Sequence, residues 1–184
     1  MVRAAMKTSV FVGASVDGFI ARKDGSLDFL MMGENLDNGF EAFVATIDAH
    51  VIGRKTFDWV RGWLRGHPGQ WPFEKPVFVL TRHPGRLRIP KDAKCEAIAG
   101  TPPQVIAILA RRGFRHLYVD GGVTIQGFLR AGRVDRLIVT RVPMLIGEGI
   151  RLFGTLPHDV RLKHIKTKVY PKGLVQTEYR VLPR

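Results

Sequence analysis

Short apolar runs alternate along this chain with segments whose apolar positions recur at helical spacing. Val10, Phe11 and Val12 predict a strand over residues 8–13, and a loop rich in Gly, Asp and Ser follows over 14–38. Phe40, Phe43, Val44 and Ile47 share one face of a predicted helix, which runs into a strand at 49–52. A short helix is expected at 56–60. Residues 62–76 then carry Gly62, Gly66, Pro68, Gly69, Pro72 and Pro76, which argues against regular structure. Strands are expected at 77–80 and 95–98, followed by a helix that Pro102 and Pro103 open and Gly113 stops. A strand at 117–119, a helix at 125–129 and a strand at 136–142 complete the alternation. Residues 160–169 and 174–182 read as a hairpin around Pro171, Lys172 and Gly173.

Strands alternating with helices predict an α/β fold whose central sheet is mostly parallel and flanked by helices on both faces. The terminal hairpin adds antiparallel edge strands. With no repeat, low-complexity stretch or linker, residues 1–184 are expected to form one domain. Two of the predicted strands end in glycine and lead straight into helix, at Gly53 and at Gly121 and Gly122; a third ends in Leu80, Thr81 and Arg82. Glycine at a strand end lets the backbone approach a ligand, and a helix that starts there aims unpaired N–H groups at it, which suits phosphate. Arg54 and Arg82 can add charge-assisted bonds to phosphate oxygens. The Gly121–Gly122 pair permits a strained or cis backbone that a β-carbon would resist. The Rossmann pattern G-x-G-x-x-G is absent, so a dinucleotide would need another scaffold.

Composition narrows the function classes. The chain has 45% hydrophobic and 24% charged residues, an ordinary globular balance. No apolar stretch approaches the roughly 20 residues that span a bilayer. The N-terminal residues lack the apolar core and small-residue cleavage site of a signal peptide. The single cysteine, Cys95, leaves no internal disulfide and fits a reducing cytoplasm. Lys and Arg number 29 against 16 Asp and Glu, for a net charge of +13. These cations are scattered, without a long basic run or an aromatic stacking motif. The charge is therefore read as solvated surface, part of it serving an anionic cofactor, rather than as a nucleic-acid footprint.

Other candidate chemistry falls away. The six histidines show no metal-ligand spacing, and surface or loop positions are expected for nearly all of them. Gly147, Glu148 and Gly149 lack the Lys-Ser/Thr of a P-loop and read as a structural turn. Ser15, Ser26 and Cys95 sit in no nucleophile motif.

Taken in order, the segments around Asp17 and Gly18, Gly25 to Leu30, Ile52 to Phe57, Val119 to Gly122, Val134 to Val139, Pro143 to Phe153 and Gly173 to Gln176 span nearly the whole chain. In this order they resemble the dihydrofolate reductase-like fold, in particular the bacterial branch related to the reductase domain of riboflavin biosynthesis. The resemblance implies a reductase that uses NADPH. Carried over by position, Val12, Gly13, Asp17 and Ile20 would lie at the nicotinamide. Gly53, Arg54, Lys55 and Thr56 would meet the phosphates, and Leu80, Thr81 and Arg82 would approach the adenosine 2′-phosphate. Val119, Gly121, Gly122, Val123 and Thr124 would hold the pyrophosphate from the other side. Phe29 and Thr140 would border the substrate.

Folate-reducing relatives place a proton-donating carboxylate in the helix after the first loop. The candidates here are Asp28, Glu34, Asp37 and Glu41; Glu34, five residues after Phe29, falls nearest that spacing and Asp37 next. A buried carboxylate in that place would have a raised pKa. The Leu-Pro that precedes the acidic residue in folate enzymes is missing, as is the arginine context for the folate tail. The implied substrate is thus a small heterocycle or the open-chain ribosylamino-pyrimidine phosphate of the riboflavin branch. A non-catalytic NADPH-binding module and dihydrofolate reductase proper stay open as alternatives. A homodimer is expected by analogy, through the sheet edge and C-terminal strands.

Overall fold

The computed structural model describes residues 6–33, 36–91 and 93–183. The strands are β1 (Lys7–Ser15), β2 (Phe19–Ala21), β3 (Ala49–Gly53), β4 (Val77–Leu80), β5 (Cys95–Ile98), β6 (His116–Asp120), β7 (Arg136–Val142), β8 (Ile150–Arg151), β9 (Leu162–Val169) and β10 (Val175–Val181). The helices are α1 (Phe40–Val44), α2 (Arg54–Trp63), α3 (Pro102–Arg111) and α4 (Gly122–Arg130), with 3-10 turns at Asp28–Gly33, Pro84–Arg86 and Pro171–Gly173.

Eight strands form one sheet in the order β5-β4-β3-β6-β1-β7-β10-β9. The six from β5 to β7 are parallel; β10 runs antiparallel to both β7 and β9. The central strands are buried on both faces, which is why they read as unbroken apolar runs. On one face Val10, Val12, Val51, Leu117, Val119 and Leu137 pack under α3 and α4, through Val105, Leu109, Ile125 and Phe128. On the other, Phe11, Tyr118 and Ile138 meet Phe43 of α1, while Ile52, Val77 and Val79 meet Phe57 of α2. No helix among the described residues is long and apolar enough to cross a membrane.

The differences from expectation are local. β2 pairs antiparallel with β8 inside what reads as loop, because strands of three and two residues are too short to show a period. Helix α2 starts at Arg54 and runs through Gly62 to Trp63, whose ring stacks on His67 at 4.0 Å. Helix α1 closes early, where the Thr46 hydroxyl donates to the Phe43 carbonyl at 2.7 Å. Two histidines depart from the expected surface position: His50 and His116 lie on strands and are buried. His116 bonds the Ser9 hydroxyl at 2.7 Å and the Thr46 carbonyl at 2.8 Å, so its polar atoms are satisfied inside. His50 stands between the rings of Tyr118 and Phe73, and burial pushes its pKa down to about 4.

Candidate active site

Strands β3 and β6 are neighbours, yet the chain leaves them in opposite directions. From β3 it passes through α2 to β4 on one side; from β6 it passes through α4 across β1 to β7 on the other. A crevice opens at the carboxyl ends of strands where connections diverge in this way, and ligands of α/β sheets bind there. Strand β3 ends in Gly53, and Gly121 follows directly on β6.

Gly53 is the N-cap of α2 and Gly121 that of α4, and neither helix has a side-chain cap. The first-turn N–H groups of two adjacent helices therefore have no side-chain cap, an arrangement that suits an anion. The two turns interlock. A β-carbon on Gly53 would lie 2.5 Å from Thr124 Oγ1, and one on Gly121 would collide with Thr56 Oγ1. Gly121 also sits at φ +89°, a positive-φ conformation that glycine adopts readily and a residue with a β-carbon resists. The glycines thus allow two helix N-termini to stand closer together than any side chain permits. Leu80 pairs in register with Gly53, which brings Thr81 and Arg82 to the same edge of the crevice.

The other expected residues take distinct places. Arg54 is held by an exposed ion pair to Asp58, 2.8 Å from Nε to Oδ2. Lys55 and Val123 are exposed, and Val119 is fully buried in the core, so its backbone alone faces the crevice region. Val12 points into that same core, and Gly13 faces Leu30, whose Cδ2 would lie 3.1 Å from an added β-carbon. Ile20 of β2 packs where a Gly122 side chain would stand, 3.0 Å away, so β2 and β8 cover the start of α4. Asp17 anchors that cover: its carboxylate accepts the Ser15 hydroxyl at 2.5 Å, the Ile146 N–H at 3.1 Å and the Gly147 N–H at 2.7 Å. The Ser15 bond leads the causes that hold its pKa below the usual value, and the backbone N–H groups act with it. The 146–149 segment is thereby a structural turn, as expected, and Lys23 pairs with Glu148 across it.

On the α1 side of the sheet, Thr140 lies opposite Gly13 and is buried. Its hydroxyl oxygen accepts Gln176 Nε2 at 3.0 Å, and the same nitrogen donates to the Asn38 carbonyl at 3.0 Å. Phe29 is buried beneath. Of the carboxylates weighed as proton donor, Glu34 lies outside the described residues. Asp37 is exposed and accepts the Gly39 N–H at 3.0 Å, forming the turn into α1. Asp28 is exposed and doubly bonded to Arg22 at 2.6 and 2.8 Å, and Glu41 is exposed.

Sequence reasoning missed Asp120. It closes β6, in register with Ile52, and directly precedes the Gly121–Gly122 turn. Burial pushes its carboxyl pKa up, against the opposing effect of the Gly121 N–H bond at 2.7 Å. A half-buried carboxyl with a raised pKa beside such a turn is a candidate acid–base group. The sequence signal was there, an acidic residue at a strand end beside a Gly-Gly turn.

The model of the RibD C-terminal domain matches residues 7–176. The chain belongs to the RibD C-terminal domain family. Among curated relatives, the uncharacterized protein YwjB of Bacillus subtilis is 30% identical, over 94% of this chain and 97% of its own. Among solved structures, a putative riboflavin biosynthesis protein from Shewanella sp. PV-4 superposes with a TM-score of 0.87 at 38% identity, covering 97% and 100% of the two chains. The Thermotoga maritima deaminase and 5-amino-6-(5-phosphoribosylamino)uracil reductase matches with a TM-score of 0.74 at 14% identity, over 97% of this chain and 57% of that one. A dihydrofolate reductase from Enterococcus faecalis, complexed with NADP(H), matches with a TM-score of 0.63 at 16% identity, over 95% and 96%. The last two show the shared dihydrofolate reductase-like fold. This RibD C-terminal domain shares its architecture with those neighbours.

Proposed function

We propose that this domain is an NADPH-dependent reductase of a small heterocyclic or ribosylamino-pyrimidine substrate. The nearest activity is that of 5-amino-6-(5-phosphoribosylamino)uracil reductase. The observation that carries this reading is the pair of uncapped, glycine-started helix N-termini at the strand switch point, with Asp120 beside them. Uncapped N–H groups at two adjacent helix starts suit a pyrophosphate. Gly53, Lys55, Thr56, Gly122 and Thr124 would hold the diphosphate, and Thr81 and Arg82 the 2′-phosphate. When bound, the nicotinamide supplies a hydride.

The chain's own residues do the rest. Thr140, fixed by Gln176, orients the heterocycle, and Phe29 and Leu30 keep water from the Gly13 end of the pocket. Asp120, whose pKa burial raises, delivers the proton that reduction of a C=N or C=O bond requires. This takes over the role expected of Glu34 or Asp37.

Following NADPH oxidation with 5-amino-6-(5-phosphoribosylamino)uracil, and then with dihydrofolate, tests the reading. Turnover of the former that falls by about 10²–10⁴-fold in Asp120→Asn supports it. Unchanged turnover in Asp120→Asn would remove the acid from its role, and no oxidation with any pyrimidine would leave a binding module.

A further inference from the structure

A second basic site lies at the opposite end of the sheet from the cofactor crevice, and nothing in the reductase reading uses it. Arg136 of β7, Arg180 of β10 and Lys163 of β9 are directly opposite one another in register. Cross-strand partners stand about 4.5–5.5 Å apart at Cα, and like charges so placed destabilise a sheet. Strict alternation along β9 would not produce this row. Lys166 pairs with Glu178 and His164 with Tyr179, so Ile165 is an extra, unpaired residue, a β-bulge. The bulge turns Lys163 onto the face that already carries Lys166 and Lys168.

The acids present do not balance this face. Glu178 is shared between Arg136, at 2.7 Å, and Lys166, at 3.5 Å. Asp135 accepts the Thr8 N–H at 2.7 Å and its hydroxyl at 3.1 Å. Lys7, Lys163 and Arg180 have no carboxylate partner among the described residues. A hollow of about 470 Å³ opens beside Lys7 and Arg180, lined also by Met6, Arg136, Ile165 and Tyr179, with Asp135 and Glu178 in its wall. Its size is that of a small-molecule site. Its walls join cations on one side to apolar and aromatic surface on the other.

We infer that this hollow binds the phosphomonoester of a small organic molecule. Arg180 and Lys7 meet the phosphate, and Ile165, Met6 and the Tyr179 ring meet the carbon skeleton. The dianion offsets the repulsion that the bulge and register create, and Arg136 stays committed to Glu178. The site stands whether or not the crevice binds NADPH, because the two share no residue.

Calorimetric titration of the full chain with phenyl phosphate, and separately with inorganic phosphate, tests this. One saturable site is expected, tighter for phenyl phosphate. The double variant Lys7→Gln/Arg180→Gln should weaken it by about tenfold or more, while Arg54→Gln leaves it unchanged. Both substituted residues are exposed, and an unchanged melting temperature confirms that the variant folds. Equal affinity for the two probes would make the ligand free phosphate and overturn the organic part of the assignment. No saturation at millimolar concentration, or a loss in Arg54→Gln instead, would overturn the site. Retention on DNA with steep salt dependence and no phenyl phosphate binding would make the face a polyanion surface instead.

Discussion

Replacing Gly121 by alanine probes the interlocked helix starts directly. The residue sits at φ +89°, ψ 129°, where a side chain is strained by about 1–3 kcal/mol. The new methyl would also lie well inside the 3.0 Å that real β-carbons keep, against Thr56 Oγ1, an overpacking cost of about 1–3 kcal/mol. Together Gly121→Ala should cost about 2–6 kcal/mol, which lowers Tm by roughly 5–20 °C for a chain of this size. Gly127, in the middle of the same helix, has nothing within 4 Å of an added β-carbon. There Gly127→Ala should stabilise by about 0.5–1 kcal/mol. Thr56→Ala removes the struck oxygen and leaves the strain, so the double variant Gly121→Ala/Thr56→Ala should recover about half the loss, read as coupling in a double-mutant cycle. Thermal and urea melts of the four proteins measure this. A Gly121→Ala melt indistinguishable from wild type, or no coupling to Thr56, would refute the close approach of the two helix starts.

Asp120 and His50 give stability pH dependences of opposite sign. Asp120 has its folded pKa raised by burial, so its contribution is full below the ordinary aspartate value and is lost as pH rises through the folded value. Urea melts across pH 4–8 should therefore show wild type losing ground to Asp120→Asn as pH rises, and a constant difference would contradict the raised pKa. His50 has its folded pKa lowered from 6.5 to about 4, so the fold loses stability as pH falls through that window, by about 3 kcal/mol at full extent. His50→Leu should flatten this acid limb; an unchanged limb assigns it elsewhere. Asp17 has its pKa lowered chiefly by the Ser15 hydroxyl, so its hold on the 146–149 turn persists above the ordinary aspartate pKa and is released only in stronger acid. Asp17→Asn should speed hydrogen exchange at the Ile146 and Gly147 amides at neutral pH, and unchanged protection there would show that the turn holds itself.

Elements with a clear period or a glycine stop were readable in the chain. The apolar runs of β1, β3, β4, β6 and β7 are buried on both faces and could hardly be anything but parallel strands. The glycines at 53 and 121 marked the crevice because only a close backbone approach explains them at two strand ends. What escaped is set by tertiary contact. The β2–β8 pair exists because Gly149 lets that turn pass closely over the Ala21 carbonyl, a contact between segments far apart in sequence. His50 and His116 are buried because aromatic rings and a serine receive them, which spacing along the chain cannot reveal. The proton donor was sought in the first loop by analogy. Among the described residues, Asp120 at the end of β6 has a carboxyl whose pKa burial raises. Its neighbours in the sheet become evident only once β3 lies beside β6.

Titrating the chain with NADPH and with NADH, read by nicotinamide fluorescence, is the most direct test of the crevice as a cofactor site. Saturable binding of NADPH at micromolar concentration is predicted, weaker binding of NADH, and loss of that preference in Arg82→Ala. Absence of saturable NADPH binding, or a preference for NADPH that survives in Arg82→Ala, would contradict the account.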